Sequence, residues 1–352
     1  MGSDIPFAAP DALVMVVDDI NTNLAVARGI LMLYRIQTRL CRSGPEAIEA
    51  IGAEKVDLVL MDHMMPGMDG IETVGRIRAM ADRDPYYASV PIIALTANVA
   101  SGAREMFLGR GFDGFMAKPM DIGELNAVLE KWIPREKQSH PLLDAPTDTD
   151  SAVDGVGAVR INGLDMGKGF SHTGGTMEKY LQTLAVFLRD GKNKLGELVD
   201  CLDRGDLPLY TVHAHALKSA AAVVGAGALS RMAGELEAAG RRGEWDFILK
   251  NNPGLLSALE SLLQDIRAAL EGRAAPKARR GDWEQLRSHL VDLAEAIHNV
   301  DPGFIKAAVN GIRPYAGSGE FGSSVDDILQ HTLVGDYDKA ASLIADLLGG
   351  AR

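Results

Sequence analysis

Long apolar runs are missing from this chain of 352 residues. Nothing approaches the roughly 18 consecutive apolar residues of a membrane helix, so no segment is expected to span a bilayer. Cysteine is almost absent as well. Cys41 and Cys201 stand alone, without metal-ligand spacing, and fit a reducing cytosol better than a disulfide framework. Positive charge is in deficit, with 36 Lys and Arg against 48 Asp and Glu for a net charge of −12, which argues against nucleic acid as a partner. The local basic cluster of Lys277, Arg279 and Arg280 reads as part of a solvated linker. Met1-Gly2-Ser3-Asp4 has neither the basic n-region nor the apolar h-region of a secretory leader. What is plentiful is apolar residues, 47% of the chain, enough for the cores of two or three domains.

The stretch Val56–Gly70 organises the first part. Its apolar run, Leu58–Met61, delivers Asp62 to the lip of a turn built from Pro66, Gly67, Asp69 and Gly70, and a helical pattern resumes at Ile71. Around it, Leu13–Val17, Gln37–Leu40, Pro91–Leu95 and Gly114–Met116 also read as strands. Leu24–Tyr34, Pro45–Ile51, Ile71–Met80, Ala103–Arg110 and Ile122–Trp132 read as helices. Five βα units predict a parallel sheet with helices on both faces. The distinctive polar residues all follow strands: Asp18-Asp19, Asp62, Thr96 and Lys118. Ligands of open α/β sheets bind at that edge, so these groups are expected to converge. Taken singly, each has a plain alternative, a helix cap for Asp18-Asp19 or a solvated surface group for Lys118. Three converging carboxylates need a cation, and hard oxygen ligands in an open site suit Mg²⁺. A hydroxyl and an ammonium facing that cation make a clamp for a phosphoryl group.

V-V-D-D-I, M-D-H-M-M-P-G-M-D-G, A-L-T-A and F-M-A-K-P together resemble the motif set of the receiver domain of two-component signalling, over about residues 11–133. The resemblance implies a flavodoxin-like α/β fold with strand order 2-1-3-4-5. It implies Asp62 as the phosphoacceptor, with Mg²⁺ held by Asp18, Asp19, Asp62 and the carbonyl of Met64. It implies Thr96 and Lys118 as contacts of the phosphoryl oxygens, Phe115 as the aromatic switch coupled to Thr96, and a cis Lys118-Pro119 peptide.

Residues 134–160 change character, with three prolines and many Asp, Ser, Thr and Gly; they are expected to form a linker, with His140 solvated in it. From Met166 to Leu270 no strand pattern appears. Thr176–Arg189, Lys192–Arg204, Leu207–Val224, Ala228–Gly240 and Leu255–Leu270 read as helices, and short connections predict a four-helix bundle with a lead-in helix. In Leu207–Val224, His213 falls on a core stripe with Leu217, Ala220 and Val224, so it is expected to be packed. His215, Lys218, Ser219 and Ala222 fall on the nearly opposite face, an imidazole and a cation bordered by small side chains. A partner can approach such a face closely, and the lysine can neutralise a phosphoryl group.

A-H-A-L-K-S-A-A-A-V-V-G-A-G-A-L, with I-N-G-L-D-M-G-K-G before it and G-E-L-E-A-A after it, resembles the histidine phosphotransfer (HPt) domain over about 160–272. The resemblance implies phosphorylation of His215, with Lys218 as its partner. Ser219 stands where Gly is most usual, and Glu237 lies near the position from which a polar residue orients the imidazole. Residues 282–352 carry further helices over Trp283–Ile297, Gly303–Ile312, Val325–Leu333 and Tyr337–Leu348. Their His289, His298 and His331 have no metal-like spacing, and docking, dimerisation and capping of the bundle all remain open for this part.

The expected organisation is therefore a tail (1–10), receiver (11–133), linker (134–160), HPt bundle (161–272), second linker (273–281) and helical module (282–352). The expected function is a cytoplasmic phosphorelay component that takes phosphate on Asp62 and passes it through His215. Its expected partners are a sensor histidine kinase and a downstream receiver. Two alternatives stand beside it: the C-terminal part of a hybrid histidine kinase, and a non-catalytic switch in which phosphorylation only gates docking. No Asn-rich box or glycine lid of an ATP-binding kinase domain is present. A coil of about 27 residues spans roughly 30 Å. That reach is enough to bring Asp62 to His215 in cis at an effective concentration on the order of millimolar. The helix after Asp18-Asp19 is expected to dock on the His215 face.

Overall fold

The computed structural model describes residues 5–97, 103–139, 161–173, 175–271, 283–298, 302–316 and 321–350. Two compact units divide the chain, residues 1–267 and 268–352.

The first half of unit 1 alternates strand and helix: β1 (Leu13–Val17), α1 (Asn21–Leu31), β2 (Gln37–Cys41), α2 (Gly44–Ala53), β3 (Leu58–Asp62), α3 (Gly70–Arg78), a short α4 (Tyr86–Ser89), β4 (Ile92–Thr96), α5 (Ala103–Leu108), β5 (Gly114–Ala117) and α6 (Ile122–Trp132). All strands are parallel, in the order β2-β1-β3-β4-β5. The central strands LVMVV, LVLMD and IIALT are covered on both faces, which is why they read as unbroken apolar runs; β2, at the edge, alternates exposed and covered residues. Val14, Val16, Leu58 and Leu60 face one core with Leu24, Ile30 and Leu125. Met15, Val17, Val59 and Met61 face the other with Ile51, Val74 and Ile77. Order reverses between β1 and β3, and the crevice at their C-terminal ends is where Asp18, Asp19 and Asp62 emerge.

The composition predicts a tail before residue 11 and a linker from 134, and the structure departs from both. Phe7 and Ala9 are fully buried in the receiver core. Beyond α6, Pro134 leads into a 3-10 turn whose Lys137 Nζ sits 2.7 Å from Asp57 Oδ1, and Ser139 pairs with Ala8. Buried apolar contacts at one end and an ion pair at the other override the local linker-like composition. His140 and the rest of the linker lie outside the described residues.

The second half of unit 1 is helical: α7 (Met166–His172), α8 (Met177–Arg204), α9 (Leu207–Val223), α10 (Gly227–Arg242) and α11 (Trp245–Glu271). Four long helices follow the short lead-in α7. The sequence pattern predicts two helices across 176–204, but α8 runs through as one helix of 28 residues. Gly191, read as a break, is a packing device. A Cβ there would stand 2.7 Å from Leu263 Cδ2, so the glycine lets α11 approach closely. Helix α11 starts ten residues before the predicted Leu255. Burial of Ile248 and the 2.8 Å hydrogen bond from the Tyr210 hydroxyl to Asn252 Oδ1 hold its first turns, and Pro253 is accommodated inside it.

Unit 2 contains α12 (Trp283–His298), α13 (Pro302–Ile312), α14 (Gly322–Val334) and α15 (Tyr337–Gly350) around its own core of Leu286, Leu290, Leu293, Ile312, Val325, Ile328 and Ile344. His289 lies against Gly311, and His331 Nδ1 is 3.0 Å from Asp336 Oδ2.

Candidate functional site

Five residues from four strand ends meet at the crevice. Lys118, after β5, places Nζ 2.6 Å from Asp18 Oδ2 and 2.8 Å from Asp62 Oδ2. Its peptide with Pro119 is cis. Asp18 Oδ1 also accepts from the Ile20 N–H (3.0 Å) and Asn23 Nδ2 (3.0 Å). Thr96 is buried at the end of β4, and its carbonyl accepts the Lys118 N–H at 2.7 Å. The Met64 N–H donates to Asp62 Oδ1 at 3.3 Å. Gly70 is required beside this turn, because a Cβ would fall 2.1 Å from the Asp62 carbonyl oxygen. Phe115 is half-buried and stacked at 6.4 Å on Phe107 of α5.

One carboxylate oxygen from each of Asp18, Asp19 and Asp62 lies within 4.8 Å of the other two. Asp19 Oδ1 is buried without a hydrogen-bond partner among the described residues. Burial and the neighbouring Asp18 push the Asp19 carboxyl up to about 7, and burial raises Asp18 against the opposing pull of Lys118. Burial works against the Asp62 charge too, but Lys118, His63 and His215 outweigh it and hold Asp62 below the usual carboxylate range. An all-oxygen donor set with an orphaned buried oxygen fits a hard divalent cation such as Mg²⁺.

The bundle closes over this crevice. Helix α1 packs against α8 and α9. His215, predicted on an accessible face, is only 2% exposed because the receiver covers it. Its ring lies edge to face with His63 at 5.4 Å between centroids. His215 Nδ1 is 2.9 Å from Glu237 Oε1. A carboxylate oxygen only accepts, so Nδ1 carries the proton and Nε2 keeps its lone pair. That Nε2 is buried with no hydrogen-bond partner among the described residues, and burial keeps the imidazole below its ordinary pKa despite Glu237. Asp62, His63 and His215 each bring a ligand atom within 4.8 Å of the other two.

Glu237 is the hub of the bundle's side. Its Oε2 accepts from Lys218 Nζ at 2.5 Å and its Oε1 from Arg241 Nη2 at 2.6 Å. Burial opposes the Glu237 charge, but His215 and Lys218 overcome it and lower its pKa. Arg241 Nη2 also reaches the Met64 sulfur of the receiver at 2.9 Å. Ser219 is buried one turn beyond His215, and its hydroxyl has no partner among the described residues.

His213 differs from the sequence expectation in its company. It is buried, but in a polar cluster, with Nδ1 3.1 Å from Lys194 Nζ and 3.2 Å from Glu197 Oε2. Burial first, then the Lys194 charge, lowers its pKa from 6.5 to about 4. The unfolded chain therefore binds this proton more readily than the folded one, so the His213 contribution to stability is complete above about 6.5 and is lost as pH falls toward about 4. His213→Gln should flatten the stability curve in that window by at most ~1.4 kcal/mol per pH unit, the ceiling for one proton. Urea denaturation of both chains between pH 4 and 7 checks this; equal slopes would rule it out.

Sequence reasoning did not single out Asp190, Lys194, His63 or Arg241. Asp190 Oδ2 accepts from the Thr22 N–H and hydroxyl, each at 2.7 Å, and Lys194 Nζ is 3.7 Å from Asp19 Oδ2. Reading a break at Gly191 hid the fact that Asp190 and Lys194 share one helix face.

A doubly wound sheet with an acidic crevice, joined to a bundle that presents a buried histidine, defines a receiver coupled to a phosphotransfer module. The response regulator receiver domain family matches residues 14–130, and the Hpt domain family matches residues 182–269. The chain thus joins a receiver domain to an Hpt domain, the pairing of phosphorelay signalling. Over 121 residues it is 36% identical to the signal transduction histidine-protein kinase BarA of Escherichia coli (strain K12), covering 34% of this chain and 13% of that protein. It is 35% identical over 127 residues to the sensor protein GacS of Pseudomonas syringae pv. syringae, covering 36% of this chain and 14% of that one. The chain therefore spans only about an eighth to a seventh of the length of these curated relatives. Among solved structures, the receiver domain of sensor histidine kinase PA1611 from Pseudomonas aeruginosa PAO1, with a magnesium ion coordinated in its active site cleft, is 32% identical with a TM-score of 0.31. It covers 34% of this chain and 96% of that one. No helix among the described residues is long and apolar enough to cross a membrane.

Proposed function

We propose that this chain carries a phosphoryl group from Asp62 to His215 within one molecule and delivers it to a separate receiver. The observations that carry this reading are the His215 imidazole, which brings a ring nitrogen within 4.8 Å of an Asp62 carboxylate oxygen, and its buried Nε2, which has no hydrogen-bond partner among the described residues. In an in-line displacement, attacking and leaving atoms stand on opposite sides of phosphorus. The Nε2 lone pair forms the new P–N bond. The P–O bond to Asp62 breaks, and its electron pair returns to the carboxylate. The proton stays on Nδ1, where the Glu237 carboxylate offsets the positive charge developing on the ring.

Asp18, Asp19 and Asp62, with the Met64 carbonyl, would hold Mg²⁺. Bound there, the ion neutralises the carboxylates and polarises the phosphoryl oxygens. Thr96 and Lys118 act on phosphoryl oxygens on the receiver, with Phe115 as the aromatic partner of Thr96. Lys218 does the same on the bundle, and Ser219 keeps its approach narrow. The curated relatives are named as a histidine-protein kinase and a sensor protein, which supports a sensor histidine kinase as donor; the exchange is placed in the cytoplasm. The same relatives favour a second reading, the relay part of a hybrid histidine kinase, with the same chemistry at the same residues.

The test is dilution. Wild type labelled through acetyl phosphate and Mg²⁺ should form acid-labile, base-stable phosphate at a rate independent of protein concentration over about a hundredfold range. A mixture of Asp62→Asn and His215→Gln chains should slow in proportion. Wild type slowing as steeply as the mixture would show that the two halves serve only external partners.

A further inference from the structure

The bundle grips the receiver at the first turn of α1, and it does so with one anion and one cation placed a helical turn apart on α8. Asp190 is 5% exposed. Its Oδ2 accepts from the Thr22 N–H and hydroxyl at 2.7 Å each, and its Oδ1 from Asn21 Nδ2 at 2.9 Å. The residue preceding α1, Ile20, has no side chain able to cap the helix. The carboxylate that satisfies this helix start therefore comes from the other domain. Lys194, 6% exposed, places Nζ 2.6 Å from Glu197 Oε2, 3.1 Å from His213 Nδ1 and 3.7 Å from Asp19 Oδ2, on the carboxylate whose other oxygen has no partner.

The pocket behind Asp19 sets the strength of that cationic contact. Within the receiver, the carboxylates of Asp18, Asp19 and Asp62 in ionised form against the Lys118 ammonium leave an excess of two formal negative charges for Lys194 of the bundle to face. A divalent cation cancels that excess and competes for the oxygens that Lys194 faces. A phosphoryl group on Asp62 replaces a monoanion with a near-dianion and restores about one negative charge.

We propose that the Asp190–Lys194 face of α8 is a charge-gated docking surface. It holds a receiver whose acidic pocket is free of divalent cation, or carries the cation together with a phosphoryl group, and it loosens on a receiver that carries the cation alone. This rests on the Mg²⁺ reading given above. Its consequence is release at the useful moment. Once the phosphoryl group has left Asp62 for His215, the pocket holds cation alone and Lys194 loses its attraction. The phosphorylated histidine also then faces the regenerated Asp62 carboxylate. The bundle's grip is weakest when His215 has phosphate to hand to the next receiver.

The experiment uses the full chain and follows hydrogen exchange at the Thr22 amide, whose partner is Asp190. Calorimetry with Mg²⁺ on the same sample establishes whether the cation binds. Saturating Mg²⁺ should speed Thr22 exchange in unphosphorylated wild type by at least about fivefold, the lower end of ordinary coupling between sites. Adding beryllium fluoride, a phosphoryl mimic, on top of Mg²⁺ should return most of the protection. Lys194→Met should lose the response to Mg²⁺, and Lys194→Arg should keep it. Circular dichroism monitors folding, and if the methionine variant unfolds, the wild-type and arginine arms still decide the matter. Absence of Mg²⁺ binding would overturn the magnesium reading, and the gate with it. Binding with Thr22 exchange unchanged or slowed would overturn the gate alone, as would an undiminished response in folded Lys194→Met.

Discussion

Asp62→Asn should abolish labelling of the receiver by acetyl phosphate, a loss of at least about a hundredfold, well beyond what loss of one hydrogen bond produces. The amide can neither attack phosphorus as a carboxylate does nor carry an acyl phosphate. In wild type the group is ready to react, because Lys118 at 2.8 Å helps keep it ionised against its burial. The variant should stay folded, since Lys118 retains Asp18 at 2.6 Å and the crevice loses one of three mutually repelling carboxylates. EDTA should reproduce the effect in wild type by withdrawing the Mg²⁺ that Asp18 and Asp19 would hold. Base-labile phosphate persisting on residues 1–139 of the Asp62→Asn chain, mapped after proteolysis, would sink the assignment.

His215→Gln should remove all acid-labile, base-stable phosphate while leaving the base-labile Asp62 acyl phosphate in place and longer-lived. His213→Gln should keep acid-labile phosphate and lose stability at neutral pH. Both rings are buried, so exposure does not choose between them. Their partners do. His213 Nδ1 meets the Lys194 ammonium and its neighbour Glu197, whereas His215 has Nδ1 on Glu237, Nε2 without a partner among the described residues, and a ring nitrogen within 4.8 Å of an Asp62 oxygen. Glu237→Ala tests the orientation of His215. With no acceptor on Nδ1 the tautomer is no longer held, and transfer should fall about 10²-fold while His215 stays in place. Acid and base lability of the label, followed through time, distinguishes these outcomes. Acid-labile, base-stable phosphate retained in His215→Gln and lost in His213→Gln would mean that the roles are reversed.

Much of this site was readable before any fold was known, for a definite physical reason. A parallel sheet buried on both faces writes its strands as continuous apolar runs, so the first polar residue after each run marks the edge where ligands bind. Asp18, Asp19, Asp62, Thr96 and Lys118 were legible in that way, and the helical period placed His213 and His215 on different faces of one helix. Glu237 was legible only through resemblance, because its pairing with His215 spans 22 positions in sequence and depends on how α10 packs on α9.

The helix-by-helix pattern misled at Gly191, where local propensity favours a break. The tertiary structure keeps one helix, because the bare Cα of Gly191 lets Leu263 of α11 come close. That continuity puts Asp190 and Lys194 on a single face. It also supplies the contacts that the expected docking of the helix after Asp18-Asp19 on the His215 face left unspecified. By itself the sequence determined the chemistry available: three carboxylates, a hydroxyl and an ammonium at one sheet edge, and an imidazole on a helix among small residues. Only the tertiary structure decided that the imidazole is buried against the carboxylate. The bonds that hold it there, from Asp190 to Thr22 and from Lys194 to Asp19, join residues more than 160 positions apart, and no local periodicity encodes such pairings.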